Sequence, residues 1–266
     1  TFAKKISKHS LGALAGYQYY TGSNSGFSAF RDNFLFPDYT VLSGGSSGNI
    51  KNDGYATEWT LISYFGRINY AFNNKYLFEA NLRYDGSSRF AAGNKWGTFP
   101  SFSAGWRISE ENFMAATKDV LNELKLRASW GRLGNQEIGN NYPFAPTVSL
   151  SPKYISNDQI QNGAAILNMA NTNISWETTE MSNIGLDARL LRNLSVSFDY
   201  YYKKTNGILL ELSIPKILGV AAPFQNAGVV ENKGWDLQIN YSNYDNAFSY
   251  GVTFTLSDVK NKILDI

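Results

Sequence analysis

Residues 76–85 read YLFEANLRYD, and this stretch decides the fold. Apolar and aromatic side chains stand at Tyr76, Phe78, Ala80, Leu82 and Tyr84. The residues between them are Leu77, Glu79, Asn81, Arg83 and Asp85. Successive side chains of a β-strand point to opposite faces, whereas helical side chains share a face every three or four residues. The period of two therefore predicts a strand with one apolar face and one charged face.

The same period recurs along the chain and predicts nine strands in all. The other alternating segments are 10–20, 62–72, 101–108, 123–130, 183–190, 194–202, 235–241 and 248–256. Many of them reach about ten residues, where strands of soluble domains are commonly about five or six residues long. A strand that crosses a membrane needs about nine to eleven residues. We therefore expect an all-β fold, an antiparallel up-and-down transmembrane β-barrel.

The connections between these segments alternate in length. Tight turns are predicted at 73–74, 192–193 and 243–246, and a moderate connection at 109–121 begins with Ser109-Glu110-Glu111, which resembles a capped short helix. Long connections are predicted at 21–57, 85–97, 133–175 and 205–234. All short connections fall at one end of the strands and all long ones at the other. Outer-membrane barrels have short periplasmic turns and long outer loops in this way.

Composition excludes several classes of function. Among 266 residues, 24 Lys and Arg face 22 Asp and Glu, so the net charge of +2 indicates no nucleic-acid partner. The chain has no Cys, and His9 is its only histidine, which removes thiolate chemistry and leaves a metal without ligand partners. No stretch has the roughly 20 apolar residues of a membrane helix. We find no catalytic constellation, and we expect no enzymatic activity, no metal site and no cofactor.

A soluble β-sandwich also alternates apolar and polar residues, so a soluble β-rich surface adhesin or carbohydrate-binding module remains an alternative. The long strands and one-sided loop lengths favour the membrane barrel. Nine strands that begin and end pointing outward cannot close an even-stranded barrel. At about 30 residues per strand, a 22-stranded plugged transporter would need roughly 650 residues of wall. We expect residues 1–266 to be a portion of such a barrel domain, with the remaining strands absent.

Several segments, taken in order, resemble the SusC/RagA-type TonB-linked outer-membrane transporters. They are RYDGSSRF at 83–90, NKWGTFPS at 94–101, AGWRISEE at 104–111, LKLRASWG at 124–131, GNQ at 134–136, WETTE at 176–180, NIGLD at 183–187, DYYYKKT at 199–205 and ENKGW at 231–235. No single segment is decisive, but the ordered series covers most of the chain from about residue 55 onward.

The resemblance implies a mid-to-late part of the barrel wall of a transporter located in the outer membrane. Members of this family import glycans or peptides with a SusD-like surface lipoprotein. Uptake would be driven by TonB through a plug domain and a TonB-contacting segment that lie outside these residues. The alternative within membranes is a TonB-dependent receptor for a siderophore or vitamin.

Two groups of residues are candidates for function. Glu79, Arg83, Arg107 and Arg127 are expected to face a polar, water-filled lumen, because a hydrogen-bonded lumen explains them more simply than acid-base catalysis. Tyrosines and tryptophans at strand ends are expected to form interfacial girdles against outer-membrane lipid.

The second group consists of extracellular loop residues that could contact substrate or the lipoprotein lid. They are Asn141, Tyr142, Phe144, Tyr154, Gln159 and Trp96. The 133–175 connection carries five of them, and loops longer than about 12 to 15 residues are usually functional or disordered. Its aromatics could stack on sugar rings, but a loop that packs on its own barrel is an equal alternative. For Trp96 we favour a structural anchor between loop and strand.

Overall fold

The fold is built on an antiparallel sheet of ten strands. The computed structural model describes residues 1–39, 41–243 and 248–265. The strands of the main sheet are β1 Phe2–Ile6, β2 His9–Phe30, β3 Lys51–Phe72, β4 Tyr76–Ser87, β5 Trp96–Arg107, β6 Leu121–Asn135, β11 Glu177–Leu190, β12 Leu194–Asn206, β15 Val229–Asn243 and β16 Tyr250–Asp265. Each strand pairs with the next in this order, so the topology is up-and-down, as predicted.

The connections contain short elements of their own. They are β7 Val148–Ser149, β8 Lys153–Ser156, β9 Gln159–Asn162, β10 Ala165–Ile166, β13 Leu209–Glu211 and β14 Phe224–Asn226, with short 3-10 helices at Leu42–Gly44, Ile108–Glu110, Asn112–Thr117 and Lys216–Leu218. Within the described ranges, no helix has the length and apolarity needed to cross a membrane. The connections 31–50, 88–95, 136–176 and 207–228 all lie at one end of the strands. The connection 108–120, which is longer than 88–95, lies at the other end with the tight turns.

The sheet has one apolar and one polar face. We call the side with Phe78, Ala80 and Leu82 the apolar face, and the side with Glu79 and Asn81 the polar face. Neighbouring strands are in register, so Ala80 stands opposite Phe102. Phe78 is 52% exposed, Leu82 51% and Phe102 54%. A soluble domain buries such residues against a second layer. Their exposure fits a face made for lipid.

Aromatic residues mark both ends of the apolar face. Near the long connections, Tyr84 stacks on Trp96 with ring centroids 4.7 Å apart. Near the short turns, Tyr76 stands opposite Trp106 and stacks on Phe72. Trp96 and Trp106 are ten residues apart on β5, about 34 Å along a strand, or about 26 Å across the membrane for a strand tilted by about 40°. This span matches the roughly 25 Å apolar band of outer-membrane barrels.

The tight turns are explained by local backbone geometry. Asn73 and Asn74 have φ of 52° and 54°, the positive values that a two-residue hairpin with the twist of a sheet requires. Asparagine tolerates this region better than most residues. The turn between β11 and β12 uses Leu191 and Arg192, with φ of 49° and 66°. The sequence placed that turn one residue too late, since neither side chain signals positive φ.

Several boundary predictions were wrong. The sheet has ten strands and not nine, because the short β1 carries no clear alternation. The connection predicted at 21–57 is residues 31–50, since β2 and β3 pair along their full 22 residues. The 3-10 helices after Arg107 have no side-chain cap hydrogen bond, and Ser109 is buried without capping either of them. Most of the turn predicted at 243–246 lies outside the described residues.

Candidate functional site

A single arginine joins three strands on the polar face. Arg127 of β6 donates from Nε and Nη2 to the two carboxylate oxygens of Asp187 on β11, at 2.7 and 2.9 Å. It also donates from Nη1 and Nη2 to the two oxygens of Asp199 on β12, both at 3.0 Å. Ser197 donates its hydroxyl to Asp187 at 2.8 Å. These groups satisfy one another, which is the arrangement of a structural clamp.

The clamp depends on a glycine. Gly185 lies between Arg127 and Asp199 in the cross-strand register, so the guanidinium must pass over it. A Cβ at this position would lie 2.5 Å from Asp199 Oδ1 and 2.7 Å from Arg127 Cζ. Since real Cβ contacts are longer than this, a side chain at position 185 would force the ion pairs apart.

The other charged residues predicted to face the lumen also lie on the polar face. Arg83 donates to Ser63 Oγ at 2.9 Å and pairs with Asp85 at 3.2 Å. Glu79 accepts a hydrogen bond from Asn81 at 2.8 Å. Arg107 lies at the strand end, where its Nη1 is 3.5 Å from the carbonyl oxygen of Asn74. The polar face is thus covered by hydrogen-bonded groups over most of its height.

At the end with the long connections, three of these connections meet in a buried cluster. We call it the mouth cluster: Phe90, Ile138 and Ile174, with Phe144, Trp176, Leu209 and Phe224 packed against them. Phe90 and Ile174 have no exposed surface. The members come from the connections 88–95, 136–176 and 207–228. These connections are therefore held together by their own small hydrophobic core.

Arg89 fastens the mouth cluster to the sheet. Its side chain is 9% exposed and pairs with Glu137 at 2.7 Å. It also donates Nε to Asn141 at 3.0 Å and Nη1 to the carbonyl of Gln136 at 3.3 Å. The guanidinium lies 4.5 Å from the ring centroid of Trp59 on β3. One buried cation therefore connects β3, the end of β4 and the longest loop.

Three of the loop residues predicted to contact substrate or lid are engaged within the chain. Asn141 accepts from Arg89, and the Tyr142 hydroxyl donates to the Glu58 carbonyl at 3.0 Å. Phe144 packs on the mouth cluster. Trp96 lies on the apolar face, beside Tyr84, which favours its interpretation as an anchor. These placements favour the self-packed alternative for the base of the 136–176 loop.

The remaining two, Tyr154 and Gln159, lie on a hairpin that projects from that loop. Strands β8 and β9 pair around Asn157 and Asp158, which both have positive φ. Tyr154 is 56% exposed. On the opposite side of the hairpin, the paired residues Ile155 and Ile160 are 77% and 70% exposed. The two isoleucines form a small exposed apolar patch on this side of the hairpin.

One carboxylate at the short-turn end was missed by the sequence analysis. Glu111 accepts hydrogen bonds from the Tyr76 hydroxyl at 2.6 Å, the Lys75 ammonium at 3.1 Å and Trp106 Nε1 at 3.1 Å. These bonds, that of Tyr76 first, lower the pKa of Glu111. The carboxylate therefore orients Tyr76 and Trp106 at the short-turn end of the apolar face. No local sequence pattern predicts this contact, because Glu111 lies in the connection 108–120 and its partner Lys75 lies in the turn before β4.

No set of three or more His, Cys, Asp or Glu side chains in the described ranges is placed to hold a metal ion. The paired glutamates of the WETTE segment serve different partners. Glu177 accepts from the Leu209 amide at 3.2 Å, and Glu180 pairs with Arg132. Neither has the geometry of an acid-base pair.

Comparison with known proteins places the chain in a family. Residues 3–265 match the family described as TonB dependent receptor-like, beta-barrel. TonB-dependent receptor P3 of Formosa agariphila is 36% identical over 271 residues, covering 100% of this chain and 27% of the relative. TonB-dependent receptor SusC of Bacteroides thetaiotaomicron is 41% identical over 193 residues, covering 70% of this chain and 19% of SusC. The chain thus spans about a quarter of the length of these relatives or less.

The fold comparison agrees. A solved structure of the RagAB peptide transporter superposes with a TM-score of 0.89 at 28% identity, covering 100% of this chain and 29% of the matched chain. This match decides against a soluble sandwich, adhesin or carbohydrate-binding module. The chain belongs to the TonB-dependent receptor β-barrel family, whose members are proteins of the outer membrane.

Proposed function

We propose that this chain forms part of the wall of a TonB-dependent transporter that imports glycans or peptides with a SusD-like surface lipoprotein. The observation that carries the proposal is the full-length superposition on the RagAB peptide transporter, at a TM-score of 0.89 and 28% identity. The 41% identity to SusC supports the same branch of the family over a siderophore or vitamin receptor. Energy coupling by TonB belongs to the whole protein, through parts outside these residues.

In this proposal, the apolar face contacts lipid and the polar face lines the lumen. Supporting this orientation, the polar side chains are saturated by one another, as in the Arg127 clamp. Apolar side chains of the other face, such as Leu82, remain about half exposed in the described part of the chain. Glu79, Arg83 and Arg127 then form the polar lining of the lumen, and Arg107 lies at its periplasmic end.

The β8–β9 hairpin is the proposed contact with the lipoprotein or the incoming cargo. Its base is fixed by Arg89 and the mouth cluster, so the hairpin is presented from a firm support. Tyr154 and Gln159 offer a ring and an amide on one side, and Ile155 and Ile160 offer an apolar contact on the other. Such a surface suits a protein partner whose apolar patch covers the isoleucines.

The test uses the full-length transporter in its outer membrane with the lipoprotein present. In one variant, residues 153–162 are replaced by a short Gly/Ser linker. In a second, Ile155 and Ile160 are both changed to Ser. The matched control is Ile217→Ser, because Ile217 is 93% exposed on a neighbouring loop. Insertion is checked by heat-dependent mobility of the folded barrel on gels.

We expect both hairpin variants to insert normally but to lose copurification with the lipoprotein and uptake of labelled oligosaccharide or peptide. The Ile217→Ser control should retain both. Unchanged copurification and uptake in the hairpin variants would remove this contact from the proposal. Uptake of a ferric chelate, with no uptake of oligosaccharide or peptide by the unmodified protein, would overturn the proposed function itself.

A further inference from the structure

Strands β2 and β3 pair with each other well beyond the end of β4. β4 pairs with β3 only between Leu61 and Phe72. Residues 51–60 of β3 therefore lie beyond the β4 ladder, and they pair there with residues 21–30 of β2. We call this part the outer hairpin. Ten residues at about 3.4 Å each make it about 34 Å long. Side-chain alternation makes one of its sides continuous with the polar face, and we call that side the inner side.

Aromatic rings recur on the inner side at every fourth residue. Trp59 stands opposite Gly22 and Tyr55 opposite Gly26. A Cβ on Gly22 would lie 2.6 Å from the Trp59 ring, and one on Gly26 would lie 2.8 Å from the Tyr55 ring. Each ring therefore lies flat across the opposite glycine. Four residues farther out, Phe30 stands opposite Lys51, whose ammonium lies 5.4 Å from the ring centroid.

The rings leave accessible faces toward the inner side. Tyr55 is 59% exposed, and Tyr20, whose centroid is 5.0 Å from that of Trp59, is 49% exposed. Arg89 covers Trp59 at 4.5 Å, so Trp59 supports Tyr20 while Tyr20 and Tyr55 offer open platforms.

Polar rows separate the aromatic rows. Asn24 stands opposite Thr57, and Ser28 stands opposite Asp53. The side chains of Asn24 and Thr57 make no hydrogen bond to any residue that the structure describes. The charges of Asp53 and Lys51 offset each other, so the inner side of the outer hairpin carries no net charge. Two residues of strand separate Tyr55 from each of these rows, a step of about 7 Å, and four residues separate Tyr20 from Asn24, about 14 Å.

This alternation suits a chain that is apolar on its ring faces and rich in hydroxyls at its edges. A pyranose ring turns its C–H face to an aromatic ring and its hydroxyls to amides and hydroxyls beside it. We propose that the inner side of the outer hairpin is a binding track for a neutral oligosaccharide, with Tyr20 and Tyr55 as its stacking platforms. The inference rests on the proposed import function, and it names the substrate class and a site for it.

Flat aromatic rings over glycine also stabilise strand pairing, so the test must separate binding from folding. In the full-length transporter, Tyr20→Leu and Tyr55→Leu keep an apolar side chain over the strand but remove the ring face. The matched control is Phe27→Leu, since Phe27 is 85% exposed on the opposite side of the same hairpin. Calorimetry of the purified, folded variants uses maltohexaose, cellohexaose and mannohexaose, with neutral hexapeptides as the competing class.

We expect at least one hexasaccharide to bind, and each tyrosine variant to raise its Kd about tenfold, the effect of losing about 1.4 kcal/mol of stacking. The Phe27→Leu control should bind as the unmodified protein does. Three results would overturn the track: no binding of any hexasaccharide, preferential binding of the hexapeptides, or equal affinities for the tyrosine and control variants. Uptake assays on the same proteins keep the two proposals apart, because import with an unchanged apparent affinity in the tyrosine variants refutes the track and leaves transport standing.

Discussion

Two glycines in one cross-strand row should respond differently to substitution by alanine, because only one of them lies under the Arg127 clamp. Gly105 and Gly185 flank Arg127 on its two sides. A Cβ on Gly185 would lie 2.5 Å from Asp199 Oδ1, whereas a Cβ on Gly105 would meet the flexible Lys125 side chain at 3.3 Å. Gly185→Ala must therefore displace the guanidinium or the carboxylate, and Gly105→Ala need displace neither.

The expected loss follows from the bonds that Gly185→Ala breaks. Arg127 makes two hydrogen bonds to Asp199, and their side chains are 31% and 24% exposed. Hydrogen bonds to charged groups contribute about 1.5 to 3 kcal/mol, and partial exposure to water reduces this, so we expect a loss of about 1 to 2 kcal/mol. Gly105→Ala should change the unfolding free energy by less than about 0.5 kcal/mol.

The assay is urea unfolding of the full-length barrel in lipid vesicles, followed by tryptophan fluorescence. A double-mutant cycle adds Asp199→Ala, in which the bonds to be broken are already gone. In that background, Gly185→Ala should cost clearly less than it does alone. Equal losses for Gly105→Ala and Gly185→Ala, or no coupling in the cycle, would refute the clamp.

Three further predictions concern other parts of the chain. Leu82→Arg should destabilise the full-length barrel in lipid by about 2 to 4 kcal/mol, and Asn81→Arg by far less; equal effects on urea unfolding would reverse the assigned faces. Arg89→Ala should loosen the 136–176 loop by about 2 kcal/mol, seen as about 30-fold faster proteolysis within it, and an unchanged cleavage rate would contradict the fastening role. Because hydrogen bonds from Tyr76, Lys75 and Trp106 lower the pKa of Glu111, its contribution to stability is present above the ordinary value of 4.5 and is lost as pH falls through the folded pKa. Glu111→Gln should therefore destabilise at pH 7 and differ little from the unmodified protein in acid, and a loss that is independent of pH would count against this role.

The strands could be predicted from the sequence because their signal is local. Alternation places each side chain on a face whatever the strand is paired with, so Phe78 and Glu79 were assigned to opposite faces correctly. Strand ends depend on pairing, and there the prediction failed. Residues 21–30 of β2 contain three serines and two glycines, a composition typical of loops, yet they pair with residues 51–60. Gly22 and Gly26 lie under the rings of Trp59 and Tyr55, which come from the neighbouring strand β3.

The candidate site was harder to predict because its contacts join distant segments. Arg89 meets Asn141 across 52 residues, and Arg127 meets Asp199 across 72. No periodicity within either segment announces such a contact. For the same reason, the aromatic residues of the 136–176 loop could be interpreted either as ligand contacts or as side chains that pack on the chain itself. The packing of Phe144 on the mouth cluster, which joins distant segments, favours the second interpretation for that residue.

The segment RYDGSSRF at 83–90 is one of the ordered series that resembles the family, and its residues make three different kinds of contact. Within it, Tyr84 stacks on Trp96 on the apolar face while Arg83 and Asp85 pair on the polar face. At the strand end, Arg89 and Phe90 leave the sheet and hold the loops of the mouth cluster. An apolar-face aromatic pair, a polar-face ion pair and the support of the loops thus meet in eight consecutive residues. Replacing Arg83 or Tyr84 removes one of these contacts, and the adjacent strand residue cannot restore it, because adjacent positions point to opposite faces.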